Sequence, residues 1–232
     1  MKKLGAFLLG VGLIAGVTVA ADSNTATSVN IVGFQTINCP KGVGVLVSTA
    51  FESIDGAVMK SVDVFGTNSL PVGTLIYAWD QTLPAGPGYR SDLLKSKGGV
   101  TSWETNVTYR GGMGFWIIVP AIASSNSYNV VMAGQVPMAS SITNVVYSGP
   151  AMLGFPYTAS VVWTNTPLAQ NAIDGSILYL WDVVTTGWIS NVKGKGKWSD
   201  NNMQITQDKG FWFIPPISQP TITNIDVRPY NP

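Results

Sequence analysis

The chain has 232 residues, of which 11% are charged, and its formal net charge is +1. An average soluble protein is about 25% charged, so this surface is polar mainly through hydroxyls and amides. A net charge so near zero gives no bulk field that would attract a polyanion, which argues against nucleic acid and anionic membranes as partners. The chain has no His and a single cysteine, Cys39. This composition removes the commonest general base and the ordinary zinc and transition-metal ligand sets, and it excludes an intramolecular disulfide.

Residues 1–21 have the pattern of a secretory signal peptide: Lys2 and Lys3, an apolar run over residues 4–17, and small residues up to Ala21. The apolar run is shorter than the roughly 20 residues that a membrane-spanning helix needs. We expect cleavage near Ala21 and a secreted or cell-surface protein without a transmembrane segment; an uncleaved N-terminal anchor is the alternative. Residues 22–29 form a polar N-terminal segment, either a linker or a donor strand.

Removal of the signal peptide leaves 11 basic side chains against 12 acidic ones, a net charge of −1. Low charge permits self-association because little repulsion keeps molecules apart. Cys39 lies beside Pro40, and we expect a buried apolar thiol there, with an intermolecular disulfide as the alternative.

The mature chain contains an internal duplication, since four motifs recur in the same order about 100 residues apart. The matched pairs are GTLIYAWD (73–80) with GSILYLWD (175–182), Gly88-Tyr89 with Gly187-Trp188, Trp103 with Trp198, and GGMGFWIIVP (111–120) with QDKGFWFIPP (207–216). The sequence therefore predicts a first β repeat unit at residues 30–128 and a second at 129–232, the latter with a closing C-terminal strand.

Each unit has the pattern of short strands separated by turns rich in Gly and Pro. Strands are expected at 43–49, 75–80, 115–119, 128–133, 143–147, 161–164, 177–182 and 211–214, and helical segments of one or two turns at most within 54–64 and 168–172. Both faces of 75–80 and 177–182 are apolar, which predicts burial on both sides. The predicted fold class is all-β: internally duplicated β-sandwich or barrel-like units with a pseudo-two-fold relation.

A weaker element occurs three times, as NIVGFQT (30–36), VMAGQVP (131–137) and NIDVRPY (224–230). A strand at the start, at the join and at the end suggests a closed arrangement in which the first and last copies lie side by side.

The sequence marks no catalytic pair. Asp80 and Asp182 follow the Trp of equivalent strands and are conceivable as a glycosidase pair, but an Asp at a strand end more often opens a turn by bonding its own backbone. Residues 199–202 have too few carboxylates for calcium, and the basic run 193–197 indicates a solvated hairpin loop. We expect no enzyme, no cofactor and no metal.

Aromatic side chains are the remaining candidates for ligand contact, since the chain has eight Trp and eight Tyr. The repeated Trp residues lie in apolar strands, where filling the core explains them. Tyr89 and Trp188 lie beside turn glycines, so we expect their rings to be exposed and able to contact a ligand such as a sugar ring.

The layout YxWD, Gly-aromatic, Trp and GxGFW resembles a repeat found in uncharacterised exported bacterial proteins, and the opening NIVGF is similar to their NIVGY-type start. The resemblance implies a secreted β module and supplies no catalytic residues.

Two hypotheses about function follow. The first is a non-enzymatic exported structural or interaction protein that associates with itself or with other envelope or extracellular proteins. The alternative is a carbohydrate-binding module that holds a polysaccharide through exposed aromatics.

Overall fold

The computed structural model describes residues 32–53, 58–83 and 86–230, and it confirms the predicted all-β fold class. The expected signal peptide and the polar segment 22–29 lie outside the described residues. Within the described part of the chain, no helix is both long enough and apolar enough to cross a membrane.

Among its described residues, unit one contains nine strands and one short helix. They are β1 (Val32–Pro40), β2 (Gly44–Ser48), β3 (Met59–Lys60), α1 (Ser61–Phe65), β4 (Leu75–Asp80), β5 (Gly88–Lys97), β6 (Val100–Trp103), β7 (Thr108–Tyr109), β8 (Gly114–Ile118) and β9 (Ser127–Gln135). The central antiparallel sheet has the order β2-β8-β4-β5-β6, and two-stranded ribbons form from β1 with β9 and from β3 with β7.

Unit two repeats this arrangement. Its elements are β10 (Ser141–Val146), β11 (Ala151–Gly154), β12 (Val161–Val162), a 3-10 turn (Trp163–Asn165), α2 (Pro167–Asn171), β13 (Ile177–Asp182), β14 (Gly187–Gly194), β15 (Lys197–Trp198), β16 (Gln204–Ile205), β17 (Gly210–Ile214) and β18 (Ile222–Val227). The sheet order is β11-β17-β13-β14-β15, with ribbons β10-β18 and β12-β16, so each pairing of unit one has a counterpart.

The pairing of the ribbons corrects the expected closure of the chain. Strand β1 pairs with β9, the strand at the join, and β18 at the C-terminus pairs with β10. The first and last copies of the weak repeat are therefore not neighbours, since each unit pairs the two strands of its own ribbon.

The expected boundary between the units, after residue 128, falls inside β9. A boundary between Gln135 and Ser141 fits the strand pairing better.

Each unit has its own core, between the inward face of its sheet and its ribbons. In unit one, Ile76 and Phe115 from the sheet pack with Ile37 and Val130 from the ribbon. In unit two, Leu178 and Phe213 belong to a second cluster together with Ile222. The sheets do not close on themselves among the described strands, so each unit is sandwich-like rather than a closed barrel.

Two details of the predicted strands are wrong. In β4, Ile76 and Ala78 are buried, but Tyr77 and Trp79 on the other face are only half-buried. In β13, only Leu178 is buried, and Tyr179 and Trp181 on the other face are again half-buried. Residues 161–164 form only a two-residue strand, because Trp163 begins the 3-10 turn.

The predicted helical turn at 168–172 is present as α2. The Thr166 hydroxyl caps this helix by accepting a hydrogen bond from the Ala169 amide at 3.2 Å.

The two units join through equivalent backbone hydrogen bonds. The Ser48 amide donates to the Asp208 carbonyl oxygen at 3.1 Å, and the Gly154 amide donates to the Gly112 carbonyl oxygen at 2.9 Å. The close approach requires glycine: a Cβ on Gly210 would lie 2.5 Å from the Val47 carbonyl oxygen, and one on Gly114 would lie 2.6 Å from that of Leu153. The glycine before each FW pair therefore serves the contact between units.

Candidate functional site

The outward faces of the two central sheets carry eight aromatic rings. The alternation of a strand places Tyr77 and Trp79 on the face opposite Ile76, and the neighbouring strands add Trp116 and Tyr89 in register. Tyr179, Trp181, Trp188 and Trp212 occupy the equivalent positions of unit two. Both copies of the repeat motif therefore place four aromatic residues on one face.

Within each sheet, the rings pack edge to face. In unit one, the centroid of Tyr89 lies 5.0 Å from that of Trp79 and 5.8 Å from that of Tyr77. In unit two, Trp188 lies 5.1 Å from Trp181 and 5.9 Å from Tyr179. Such tilted pairs are the favoured geometry for aromatic rings, so the rings hold one another in place.

The aromatic faces of the two units also contact each other. Trp79 of unit one packs against Trp212 of unit two, and Trp116 of unit one against Trp181 of unit two, each with centroids 5.4 Å apart. The indole N–H of Trp79 donates to the Pro150 carbonyl oxygen and that of Trp181 to the Gly44 carbonyl oxygen, both at 2.8 Å. These equivalent bonds fix the two indoles across the joint between units.

An open groove of about 510 Å³ lies between these faces. Five aromatic side chains and two aliphatic ones line it: Trp79, Tyr89, Tyr179, Trp188, Trp212, Pro150 and Ile214. The volume falls within the range of small-molecule sites, about 300 to 1,000 Å³. None of the seven side chains is charged, so the groove suits a neutral ligand with flat apolar faces.

Polar groups accompany the rings. The hydroxyls of Tyr89 and Tyr179 and the indole N–H of Trp212 make no hydrogen bond with any described residue, so they are available to a ligand. Partial burial raises the pKa of Tyr89 above the ordinary value of a tyrosine. The groove thus combines ring faces with a few neutral hydrogen-bonding groups.

The two aromatics predicted from the sequence lie in this groove. Tyr89 is 50% exposed and Trp188 is 45% exposed, and the structure brings both to the same lining although they belong to different units. Their contact with a ligand stays a prediction.

Sequence reasoning missed three groove residues. Trp79 and Tyr179 belong to strands that we expected to be buried on both faces, and Trp212 is one of the repeated Trp residues that we expected to fill the core. Each is half-buried and lines the groove. The alternation of side chains along a strand distinguishes these three residues from core residues. Phe115 and Phe211 lie on the faces that point into the cores, and the three groove residues lie on the opposite faces. By contrast, Trp103 and Trp198 are buried in the cores, as predicted.

The acidic residues after each core strand open turns, as expected. The Asp80 carboxylate accepts from the Thr82 amide at 2.7 Å, and the Asp182 carboxylate accepts from the Val184 amide at 2.9 Å. Burial raises the pKa of Asp80, but hydrogen bonds from Thr82 and the Arg90 guanidinium outweigh it and bring the pKa below its ordinary value. Neither carboxylate lines the groove.

The expectation that the basic run 193–197 is a solvated loop is wrong for Lys193. Residues 193–197 join β14 to β15 as a hairpin, but the Lys193 side chain is buried, and its ammonium donates to the carbonyl oxygens of Ala169 (2.9 Å) and Gln170 (3.2 Å). The Lys193 ammonium therefore provides hydrogen bonds to carbonyl oxygens at the C-terminal end of α2.

Among the described residues, no group of three or more His, Cys, Asp or Glu side chains is placed to hold a metal ion.

Comparison of the chain with protein-family models, with curated proteins and with solved structures found no match in any of the three.

Proposed function

We propose that this protein is an exported, non-enzymatic carbohydrate-binding protein whose ligand is a neutral glycan held in the aromatic groove. The observation that carries the proposal is the set of five aromatic side chains from both units around one uncharged groove. Export is supported by the signal-peptide pattern of residues 1–21.

The chemistry of a sugar matches this lining. A pyranose ring presents a face of C–H groups, which packs on the electron-rich face of an aromatic ring, and a rim of hydroxyls, which needs hydrogen-bonding partners. Trp188 and Tyr89 supply exposed rings from two units, and the free hydroxyl of Tyr179 supplies a polar contact. A glycan long enough to reach both rings would contact both units.

The absence of charge in the lining narrows the ligand class. An acidic glycan brings carboxylates or sulfates that would leave water without a cationic partner among the seven lining side chains. We therefore expect neutral polysaccharides to bind and uronic-acid or sulfated polysaccharides to bind weakly or not at all.

A binding experiment with matched variants tests this function. Mature protein is applied to an array of neutral and acidic polysaccharides, and hits are quantified by calorimetry for wild type, Trp188→Ala, Tyr89→Ala and Tyr89→Phe. Each alanine variant is expected to lose about tenfold in affinity, because an aromatic contact contributes on the order of 1 kcal/mol beyond its area. Tyr89→Phe keeps the ring and is expected to retain most of the binding.

Val100→Ala is the control, since Val100 is an exposed apolar residue of β6, 67% accessible, outside both the groove and the ribbons. It is expected to bind like wild type. The proposal fails if no neutral glycan binds, or if Trp188→Ala and Tyr89→Ala bind as tightly as Val100→Ala.

Self-association is a second candidate function, and the ribbons favour it. The outward face of β1 and β9 carries the exposed apolar residues Val32, Phe34 and Val131, and β18 of the other ribbon carries Ile225 and Val227. A second copy of this chain fits these surfaces for two reasons. Each ribbon has only two described strands, so its strand edges can pair with those of another molecule. The net charge is near zero, so little repulsion keeps two copies apart.

Light scattering of the mature chain across a concentration series tests this candidate. Oligomers that dissociate on dilution and are weakened by Phe34→Ser would support it. A monomer at every concentration would remove it and would leave the glycan proposal untouched, since the groove contains no residue of either ribbon.

A further inference from the structure

The core of unit two buries two polar side chains that the fold itself does not require. Asn224 and Asp226 lie on the inward face of β18, where they are 5% and 3% exposed. In unit one, the inward face of the corresponding strand β9 carries Val130 and Met132, both fully buried. An apolar pair therefore serves the same ribbon, and the polar pair of unit two needs an explanation of its own.

A small cavity lies beside this pair. Its volume is about 20 Å³, and its lining includes Asn144, Trp163, Phe211, Asn224 and Asp226. A space of this size holds about one water molecule, provided that the water finds two or more polar partners.

Two atoms of the lining residues lack a partner. The indole N–H of Trp163 and the amide oxygen of Asn224 are buried and make no hydrogen bond with any described residue. One is a donor and the other is an acceptor, and leaving either unsatisfied costs about 1 to 3 kcal/mol. The amide nitrogen of Asn224 is already engaged, since it donates to the Asp226 carboxylate at 2.5 Å.

We propose that this cavity is a binding site for one ordered water molecule, which accepts a hydrogen bond from the Trp163 indole and donates one to the Asn224 amide oxygen. The water links the 3-10 turn to β18, and so connects the α2 side of the core to the ribbon. Its second proton faces the remaining polar lining, to which Asp226 and Asn144 belong.

The test is a water-exchange and cross-relaxation NMR experiment on the intact mature protein with ¹⁵N-labelled tryptophan. The indole proton of Trp163 is expected to show a cross-peak to water with the sign of a long-lived bound molecule. Trp198 is the matched control: it is also buried, but its indole donates to the Ala169 carbonyl oxygen at 3.1 Å, and it is expected to show no such cross-peak.

Asn224→Val, which introduces the residue type of Val130, tests the assigned acceptor. The Trp163 cross-peak is expected to disappear while the Trp198 signal is unchanged. A missing cross-peak at Trp163 in the wild-type protein would show a dry cavity and overturn the proposal. A cross-peak that keeps its full intensity in Asn224→Val would overturn the role of Asn224. If the variant does not fold, the wild-type comparison of Trp163 with Trp198 still decides whether the site is hydrated.

Discussion

Asp226 illustrates how burial controls the chemistry of single residues in this protein. Burial raises the pKa of its carboxyl from 3.8 to about 6, and the hydrogen bond from the Asn224 amide opposes the shift only in part. The folded protein therefore binds this proton more tightly than the unfolded chain does. The resulting stabilisation is complete below about pH 3.8 and is lost as the pH rises through about 6.

We predict that Asp226 lowers the stability of the wild type on going from acid to neutral pH. The free energy of unfolding, measured with urea relative to Asp226→Asn, is expected to fall by about 2 to 3 kcal/mol between about pH 4 and about pH 7. The Asn variant has no proton to lose and is the reference at each pH. An equal difference at both pH values would contradict this prediction.

Cys39 is buried, as the sequence predicted, and burial raises the pKa of its thiol to about 12. The thiolate is the reactive form, so the native thiol is expected to be inert. An aromatic disulfide reagent at about pH 8 should label native protein far more slowly than urea-unfolded protein in the same buffer. Rapid labelling of the native chain, or a dimer linked by Cys39 on a non-reducing gel, would contradict it.

At the scale of elements, local pattern predicted the central strands well, because alternation and turn residues act over only a few positions. The run 75–80 is β4 and 177–182 is β13. What the pattern could not decide was which face meets water, since Tyr77 and Trp79 are as apolar as a core face. Their partial exposure follows from how the second unit covers the sheet, and that is a tertiary property.

Ribbon pairing was also beyond the local signal. Strand β9 has the same kind of sequence as β1 and β18, and nothing in its residues selects one partner over the other. A short connection joins β8 to β9, and β9 pairs with β1 of the same unit. The equivalent connection joins β17 to β18, and β18 pairs with β10.

The glycine at the start of each FW strand is predicted to be needed for the joint between units. Gly210→Ala places a Cβ against the Val47 carbonyl oxygen, which belongs to backbone that cannot give way cheaply. We expect a loss of about 1 to 3 kcal/mol in the free energy of unfolding. Gly194→Ala is the control, because a Cβ there meets no atom within 4 Å, and it is expected to change stability by less than about 0.5 kcal/mol. Equal losses in the two variants would contradict the role of Gly210 at the joint.

For the whole molecule, the candidate site depends on a contact that no single repeat contains. The sequence supplied Tyr89 and Trp188 as exposed rings, because each lies beside a turn glycine. The groove could not be predicted from the sequence, since Trp79 and Trp212 come into contact only when the two sheets pack on each other. The same strand order recurs in both units and gives the site matching halves, and the contact between the units brings the two halves into one groove.

The two cross-unit tryptophan pairs provide the sharpest test of this docking. Trp79 and Trp212 are in contact, and so are Trp116 and Trp181, whereas no ring contact joins Trp79 to Trp181 among the described residues. A double-mutant cycle with Trp79→Leu and Trp212→Leu is therefore expected to give a coupling energy of about 0.5 to 1.5 kcal/mol in unfolding by urea.

The equivalent cycle on Trp116 and Trp181 is expected to give a coupling energy of similar size. The cycle that combines Trp79→Leu with Trp181→Leu is the control and should be additive within about 0.5 kcal/mol. If all three cycles are additive, the units do not dock through these indoles, and a groove that needs both units loses its basis. Coupling in the two contact pairs alone would show that the units dock through these indoles, which is the arrangement that the groove between the units requires.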